Sequence, residues 1–232
     1  MARAFQDIET GGGGPTLAIV QGASPAERSY CKLTGVSPND ANVDSDDNFD
    51  RHVLASILAV SSAEGGALAA QAGLTDADLD RLLTQCFATR DLPSSGAAAA
   101  SLVDADEMEI VRELLLANLS SEGDCGRWLA GMIARRAMEP NHLWEDLGLR
   151  NRTELTRLIA RHFAPLALRN DKNMRWKRFI YRMMCEDDGF VMCSTPVCSN
   201  CADYELCYGA ETGSSRVSAA ADPSDPAQGR AV

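Results

Sequence analysis

Apolar residues recur along this chain at helical spacing. In FDRHVLASILAVSS, Val53, Leu54, Ile57 and Leu58 fall at i, i+1, i+4 and i+5, one face of a helix. In LTDADLDRLLTQCF, Leu79, Leu82, Leu83 and Phe87 form the stripe, and Thr75 or Asp76 is placed to cap it. DEMEIVRELLLANLSS puts Met108, Val111, Leu115 and Leu119 on one side. CGRWLAGMIARRAM continues the pattern until Pro140 ends it. Asn151 and Glu154 have the spacing of a capping box before LTRLIARHF. The last strong helix is DKNMRWKRFIYRMMC, with Asp171 as its expected cap. No run alternates in the way a half-buried strand requires. The pattern predicts an all-α fold, a helical bundle of about six or seven helices with a C-terminal cysteine-rich loop.

The ends read differently. Residues 1–45 carry Gly11–Gly14, scattered proline and the acidic stretch NDANVDSDDNFD, and are expected to be a flexible N-terminal segment. Residues 46–209 form the helical domain, with SSGAAAAS as an internal linker and the cysteine loop at 193–207. The tail, residues 210–232, has small and polar residues without an apolar face. Such segments bury too little surface to offset their ordering entropy, so the tail is expected to be disordered.

Charge narrows the function classes. With 22 Lys plus Arg against 33 Asp plus Glu, the net charge is −11. That argues against a bulk nucleic-acid or anionic-membrane binder. MARAFQDIETGGGGP lacks the apolar core of a signal peptide, and HVLASILAV is too short to span a bilayer. The expected location is cytoplasmic, where thiols stay reduced and clustered cysteines favour metal over disulfides.

Four of the eight cysteines lie in CSTPVCSNCADYELC, spaced Cys193-x4-Cys198-x2-Cys201-x5-Cys207. The C-x2-C step makes a tight turn that can present two sulfurs to one centre. A structural zinc site would usually pair two such knuckles across a longer spacer, which is missing. Iron–sulfur clusters take cysteines from compact runs, and C-x4-C-x2-C is one of their spacings. Unliganded thiols or two disulfides are the bland alternative. Cys185 ends the preceding helix and is a possible further ligand, more readily a buried helix residue. Cys31, Cys86 and Cys125 stand alone, as small core hydrophobes do.

The helix before the loop is basic. Arg169, Lys172, Arg175, Lys177, Arg178 and Arg182 face one acid, Asp171, a local charge of +5. Arg175, Arg178 and Arg182 fall on one stripe, opposite Trp176, Phe179, Ile180 and Met183. Arg175, Lys177, Arg178 and Arg182 are candidates for attracting an oxyanion, against the plainer reading of a solvated face. The three histidines, His52, His142 and His162, sit in apolar helical contexts that suit hydrogen-bonded structural residues. His142 and His162 are candidates to complete a metal site. The chain carries no catalytic triad and no paired catalytic carboxylates, and Gly11–Gly14 lacks the Lys-Ser/Thr of a phosphate loop.

The segment from NHLWEDLGL through RHFAPLALRN, MRWKRFIYR and CEDDGF to the C-x4-C-x2-C-x5-C ending resembles the C-terminal half of the NifQ family of nitrogen fixation proteins. Upstream, FDRHVLASILA and LDRLLTQCF are also similar, so the likeness covers about residues 48–209. One departure is TQCFAT, where the family would have an aromatic residue and a proline flanking Phe87. The resemblance implies a non-enzymatic protein that carries an iron–sulfur cluster able to include molybdenum. It implies delivery of that molybdenum to iron–molybdenum cofactor biosynthesis for nitrogenase maturation, with a cofactor scaffold complex and the nitrogenase iron protein as partners. The family's ligand motif falls on Cys193, Cys198, Cys201 and Cys207. Two rivals remain at this level, an iron–sulfur redox-sensing DNA-binding regulator and a structural zinc interaction module. The net charge and the lack of a recognisable helix-turn-helix or helix-hairpin-helix signal count against the first.

Overall fold

A computed structural model describes residues 23–89, 92, 104–187, 189 and 197–218. Among them there is no strand, and the expected all-α architecture holds. The longer helices are α1 (Pro25–Thr34), α2 (Asp46–Ala63), α4 (Asp76–Cys86), α5 (Ala105–Ala117), α6 (Cys125–Ala137), α8 (Arg152–His162) and α10 (Trp176–Asp187). Short turns of helix fill the joints: α3 (Leu68–Ala72), α7 (Leu143–Asp146), α9 (Ala164–Arg169) and α11 (Tyr204–Tyr208). The expected linker SSGAAAAS lies outside the described residues.

Two helices make the centre. Along α2 the residues from His52 to Ser62 are all buried, as are Trp128 to Ala137 of α6. A helix apolar on every side must be surrounded. Accordingly α1, α3 and α6 pack on α2, and α3, α4, α5 and α7 pack on α6. The short residues Ala55, Ala59, Ala130 and Ala134 permit that close packing. Where α3 ends, Gly73 takes a left-handed φ of 70° and its carbonyl lies against Gly131 of α6.

Helix starts follow the predicted chemistry in several places. Thr75 Oγ1 accepts from the Asp78 N–H at 3.1 Å. Asn151 Oδ1 accepts from the Glu154 N–H at 3.0 Å, but Glu154 does not return the bond to Asn151. Its carboxylate accepts instead from the Arg150 N–H at 2.9 Å and contacts His52 Nε2 at 3.3 Å.

Three expectations are corrected. The N-terminal segment is helical over α1, with Ser24 as N-cap and Pro25 in the first turn. Its Tyr30 is fully buried and meets His52 Nδ1 at 2.6 Å. The last long helix starts at Trp176, not after Asp171. Asn170 closes a turn there, accepting from the Met174 N–H at 2.8 Å, while Asn173 adopts a φ of 55°. Finally, residues 210–218 are a strap on the bundle rather than a loose tail. Val217 is buried, and Arg216 reaches Glu64 at 2.8 Å and Asp146 at 3.6 Å.

That strap closes a buried ionic network. Arg136 is fully buried and donates to both Glu64 oxygens at 2.6 Å and to the Asp146 carbonyl at 2.9 Å. Asp146, also fully buried, accepts from Asn141 at 2.9 Å and from Lys177 at 2.7 Å. Burial alone would raise the Glu64 carboxyl pKa, but Arg136 and Arg216 hold it below the ordinary value.

Candidate metal centre

The cysteine loop is described from Val197 onward, and Cys193 lies outside the described residues. Cys198–Asn200 form a single 3-10 turn, closed by the Cys201 N–H donating to the Cys198 carbonyl at 3.0 Å. The Tyr204 N–H donates in turn to the Cys201 carbonyl at 3.2 Å, and α11 follows. The C-x2-C step therefore forms the tight turn its spacing predicts. Cys198, Cys201 and Cys207 are each half-buried, accessible enough to take a ligand yet shielded on one side.

The loop is fastened to the start of α10. The Arg175 N–H donates to the Cys207 carbonyl at 2.8 Å. Its guanidinium donates to the Gly209 carbonyl at 3.1 Å and the Ala210 carbonyl at 2.9 Å. Tyr208 Oη points at Cys198 Sγ, 3.7 Å away, across the turn. Burial, reinforced by that sulfur, pushes the Tyr208 phenol up to about 12, so it remains a donor at neutral pH.

The donor set fits a soft metal centre. Thiolates suit iron–sulfur clusters and zinc, with backbone turns rather than a rigid sheet to hold them. A single tetrahedral zinc would draw thiolates to about 3.8 Å apart, from a Zn–S bond of about 2.3 Å. Among the described residues, the one group of potential ligands gathered within 4.8 Å of one another is Asp50, Cys125 and His162, not the loop thiols.

The four basic candidates are put to different uses. Lys177 turns inward to Asp146 and the Glu139 carbonyl. Burial lowers its pKa, an effect Asp146 partly offsets. Arg175 braces the loop, as above. Arg182 pairs with Glu186 at 2.7 Å and lines a cavity beside Tyr208. Arg178 lines a separate depression of about 180 Å³ with His142, Lys177 and Leu206. His142 is thus brought towards the cysteine loop, where it starts α7 and donates its backbone N–H to Glu145 at 3.1 Å.

His162 is buried at the end of α8, hydrogen-bonded to Asp50 at 2.9 Å and Ser121 at 2.8 Å. Cys125 joins that group, with burial pushing its thiol up to about 12. Arg161 also takes both Asp50 oxygens, at 2.8 and 2.9 Å, and that guanidinium already neutralises the carboxylate. The arrangement has the marks of a structural network. Sequence spacing gave no signal for it, because Asp50 and His162 are 112 residues apart. Cys185 is half-buried on α10.

The protein-family model NifQ matches residues 53–209. A Sinorhizobium fredii (strain NBRC 101917 / NGR234) protein described as "Protein NifQ homolog" is 35% identical over 213 residues, covering 86% of this chain and 89% of that relative. "Protein NifQ" of Rhodobacter capsulatus is 38% identical over 157 residues, 67% of this chain and 86% of its own. "Protein NifQ" of Azotobacter vinelandii is 38% identical over 142 residues, 60% of this chain and 68% of its own. No solved structure matches.

Proposed function

The chain belongs to the NifQ family, and from that premise we propose that it is an iron–sulfur molybdenum carrier serving iron–molybdenum cofactor assembly in nitrogen fixation. The observation that carries the reading is the C-x4-C-x2-C-x5-C loop, whose described part is a tight half-buried turn fastened to α10. Cys193, Cys198, Cys201 and Cys207 would hold the cluster, and sulfur donors are what keep iron and molybdenum together. Four protein thiolates cannot saturate every metal of a cluster and also grip an extra one. A site left partly open suits cargo that must be released. In this reading the protein turns over no substrate. It works in the cytoplasm and hands molybdenum to a cofactor scaffold complex and the nitrogenase iron protein. No described helix is long and apolar enough to cross a membrane.

The test is elemental. Anaerobically purified protein should be brown and contain iron, acid-labile sulfide and molybdenum. Alanine at Cys198, Cys201 or Cys207 should remove the visible absorption while helical circular dichroism stays within a few per cent, since Cys198 and Cys201 lie outside the core and Cys207 only packs on its edge from the short α11. Stoichiometric zinc without sulfide would replace the carrier with a zinc interaction module. Tight, salt-sensitive binding to duplex DNA would replace it with a regulator.

A further inference from the structure

Tyr208 stands where the cysteine loop meets the bundle. The residues on either side of it are both tied to Arg175. The Cys207 carbonyl accepts from the Arg175 N–H at 2.8 Å, and the Gly209 carbonyl accepts from its guanidinium at 3.1 Å. The Gly209 N–H closes α11 on the Glu205 carbonyl at 3.0 Å. Within that helix the Tyr208 ring lies 4.9 Å from the Tyr204 ring, centroid to centroid, at 30°. Tyr208 packs partly buried against the core, whereas Tyr204 is exposed. So held, the Tyr208 ring carries its hydroxyl back over the 3-10 turn to Cys198 Sγ, at 3.7 Å.

We propose that Tyr208 is a positioning residue of the metal centre, donating its phenolic hydrogen to the Cys198 sulfur and so setting the reduction potential of the centre that Cys198 helps to hold. The proposal rests on the carrier reading above and gives that site a residue outside its thiol set. The direction of the bond follows from the chemistry of the pair. A sulfur that ligates a metal is a thiolate and can only accept, while a phenol keeps its proton at neutral pH and can donate. Sulfur is a larger acceptor than oxygen, and 3.7 Å lies within its hydrogen-bonding reach. A hydrogen bond to a ligating sulfur draws electron density from it, and the centre becomes easier to reduce. Such bonds are among the factors that set the potentials of iron–sulfur centres. Among the described residues, no other side chain is hydrogen-bonded to Cys198 or Cys201. The bond is also preorganised. Arg175 fixes the backbone on both sides of Tyr208, so only the rotation of the side chain has to be ordered to make it. The same withdrawal of density loosens the sulfur's hold on metal, which suits a centre whose cargo must leave.

The full chain is purified anaerobically as wild type, Tyr208→Phe and Tyr204→Phe, and iron and acid-labile sulfide are measured on each. Midpoint potentials are then taken by anaerobic redox titration followed in the visible spectrum. Tyr208→Phe keeps the ring and deletes the donor. It is expected to hold the same iron and sulfide per chain and to shift the potential to more negative values by about 59 mV, a tenfold weaker one-electron reduction. Its iron–thiolate stretching bands in resonance Raman spectra should rise in frequency, since the sulfur recovers density. Tyr204→Phe removes a hydroxyl of the same helix that has no partner among the described residues, and should change neither. 3-Fluorotyrosine at position 208 keeps the donor and strengthens it, so the potential should move the other way, which a packing effect would not do. An unchanged potential in Tyr208→Phe overturns the proposal, as does an equal shift in Tyr204→Phe. Loss of iron from Tyr208→Phe overturns it too, because the phenol would then hold the centre rather than tune it. The two readings fail separately. Iron and sulfide with an unmoved potential removes the role of Tyr208 alone, whereas wild type without iron or sulfide removes the carrier and this role with it.

Discussion

Lys177 shows how little the type of a charged residue says about its use. On the sequence it is one more cation in a basic stretch, and that stretch is an attractive anion trap. In the fold it neutralises Asp146, a fully buried acid 31 residues upstream. Removing one member of a buried pair leaves the other uncompensated, which costs about 3 kcal/mol or more. Lys177→Met is therefore expected to lower unfolding stability by about 3 kcal/mol in urea titrations, at the low end because Asn141 and Arg216 still face Asp146. The turn at Cys198 and Cys201 was legible because a C-x2-C step is written in local spacing. The direction of Lys177, and the meeting of His162 with Asp50 and Cys125, were not. Each depends on a partner contributed by a distant helix.

Among the elements, the central helices could be read because their apolar positions are numerous and periodic. Val53, Leu54, Ile57 and Leu58, taken as one face of α2, are all buried. So are Val111 and Leu115 of α5, while Met108 and Leu119 pack partly buried at its edge. The helix α1 escaped notice for a physical reason. Its buried face is Ala26, Ser29, Tyr30 and Leu33, so small and polar residues occupy half of a normal i, i+3, i+4, i+7 stripe. The start of α10 was misplaced because Asp171 resembles a cap, whereas the side chain of Asn170 ties the turn to Met174. Where α3 ends against α6, two backbones meet directly. A methyl group on Gly131 would run into the Gly73 carbonyl, and a methyl on Gly73 into the Gly131 carbonyl. Alanine in a helix recovers about 1 kcal/mol over glycine, but overpacking costs up to about 3 kcal/mol. The clash is backbone against side chain with no rotamer to relieve it, so the steric cost wins. Gly131→Ala should be destabilising by about 2 kcal/mol, seen as a lower urea midpoint.

At the scale of the molecule, carboxylates hold the bundle together from inside. Burial raises the pKa of Asp50, Glu64 and Glu154, and in each case hydrogen-bonded partners overcome it, leaving all three below the ordinary carboxylate range. His162 and Arg161 do this for Asp50, Arg136 and Arg216 for Glu64, His52 and Arg150 for Glu154. The unfolded chain takes up these protons near its ordinary values, and the folded one only at lower pH. The stabilisation is therefore complete above that range and is lost as pH falls through the depressed values. Urea midpoints are expected to hold from about pH 7 to about pH 5 and to drop steeply below about pH 4. Glu64→Gln should start lower and fall less steeply. A midpoint that rises on acidification would contradict this account. Relief of the −11 self-repulsion works in the opposite direction, but it is spread over the surface and screened within about 8 Å at physiological salt.

The helix α2 is closed at both ends by chain outside the span that the family model covers. Near its start, Tyr30 of α1 meets His52 at 2.6 Å. Just past its end, Arg216 of the strap meets Glu64 at 2.8 Å. Anyone trimming this protein for crystallisation or tagging would naturally cut at residues 53 and 209. That cut removes His52 outright, strips one of its partners from Glu154 and uncovers the apolar flank of α2 on which Leu33 and Val217 rest. A fragment meant to keep this core has to include at least Ser24 to Ser218, so the family's borders fall inside the fold rather than at its edges.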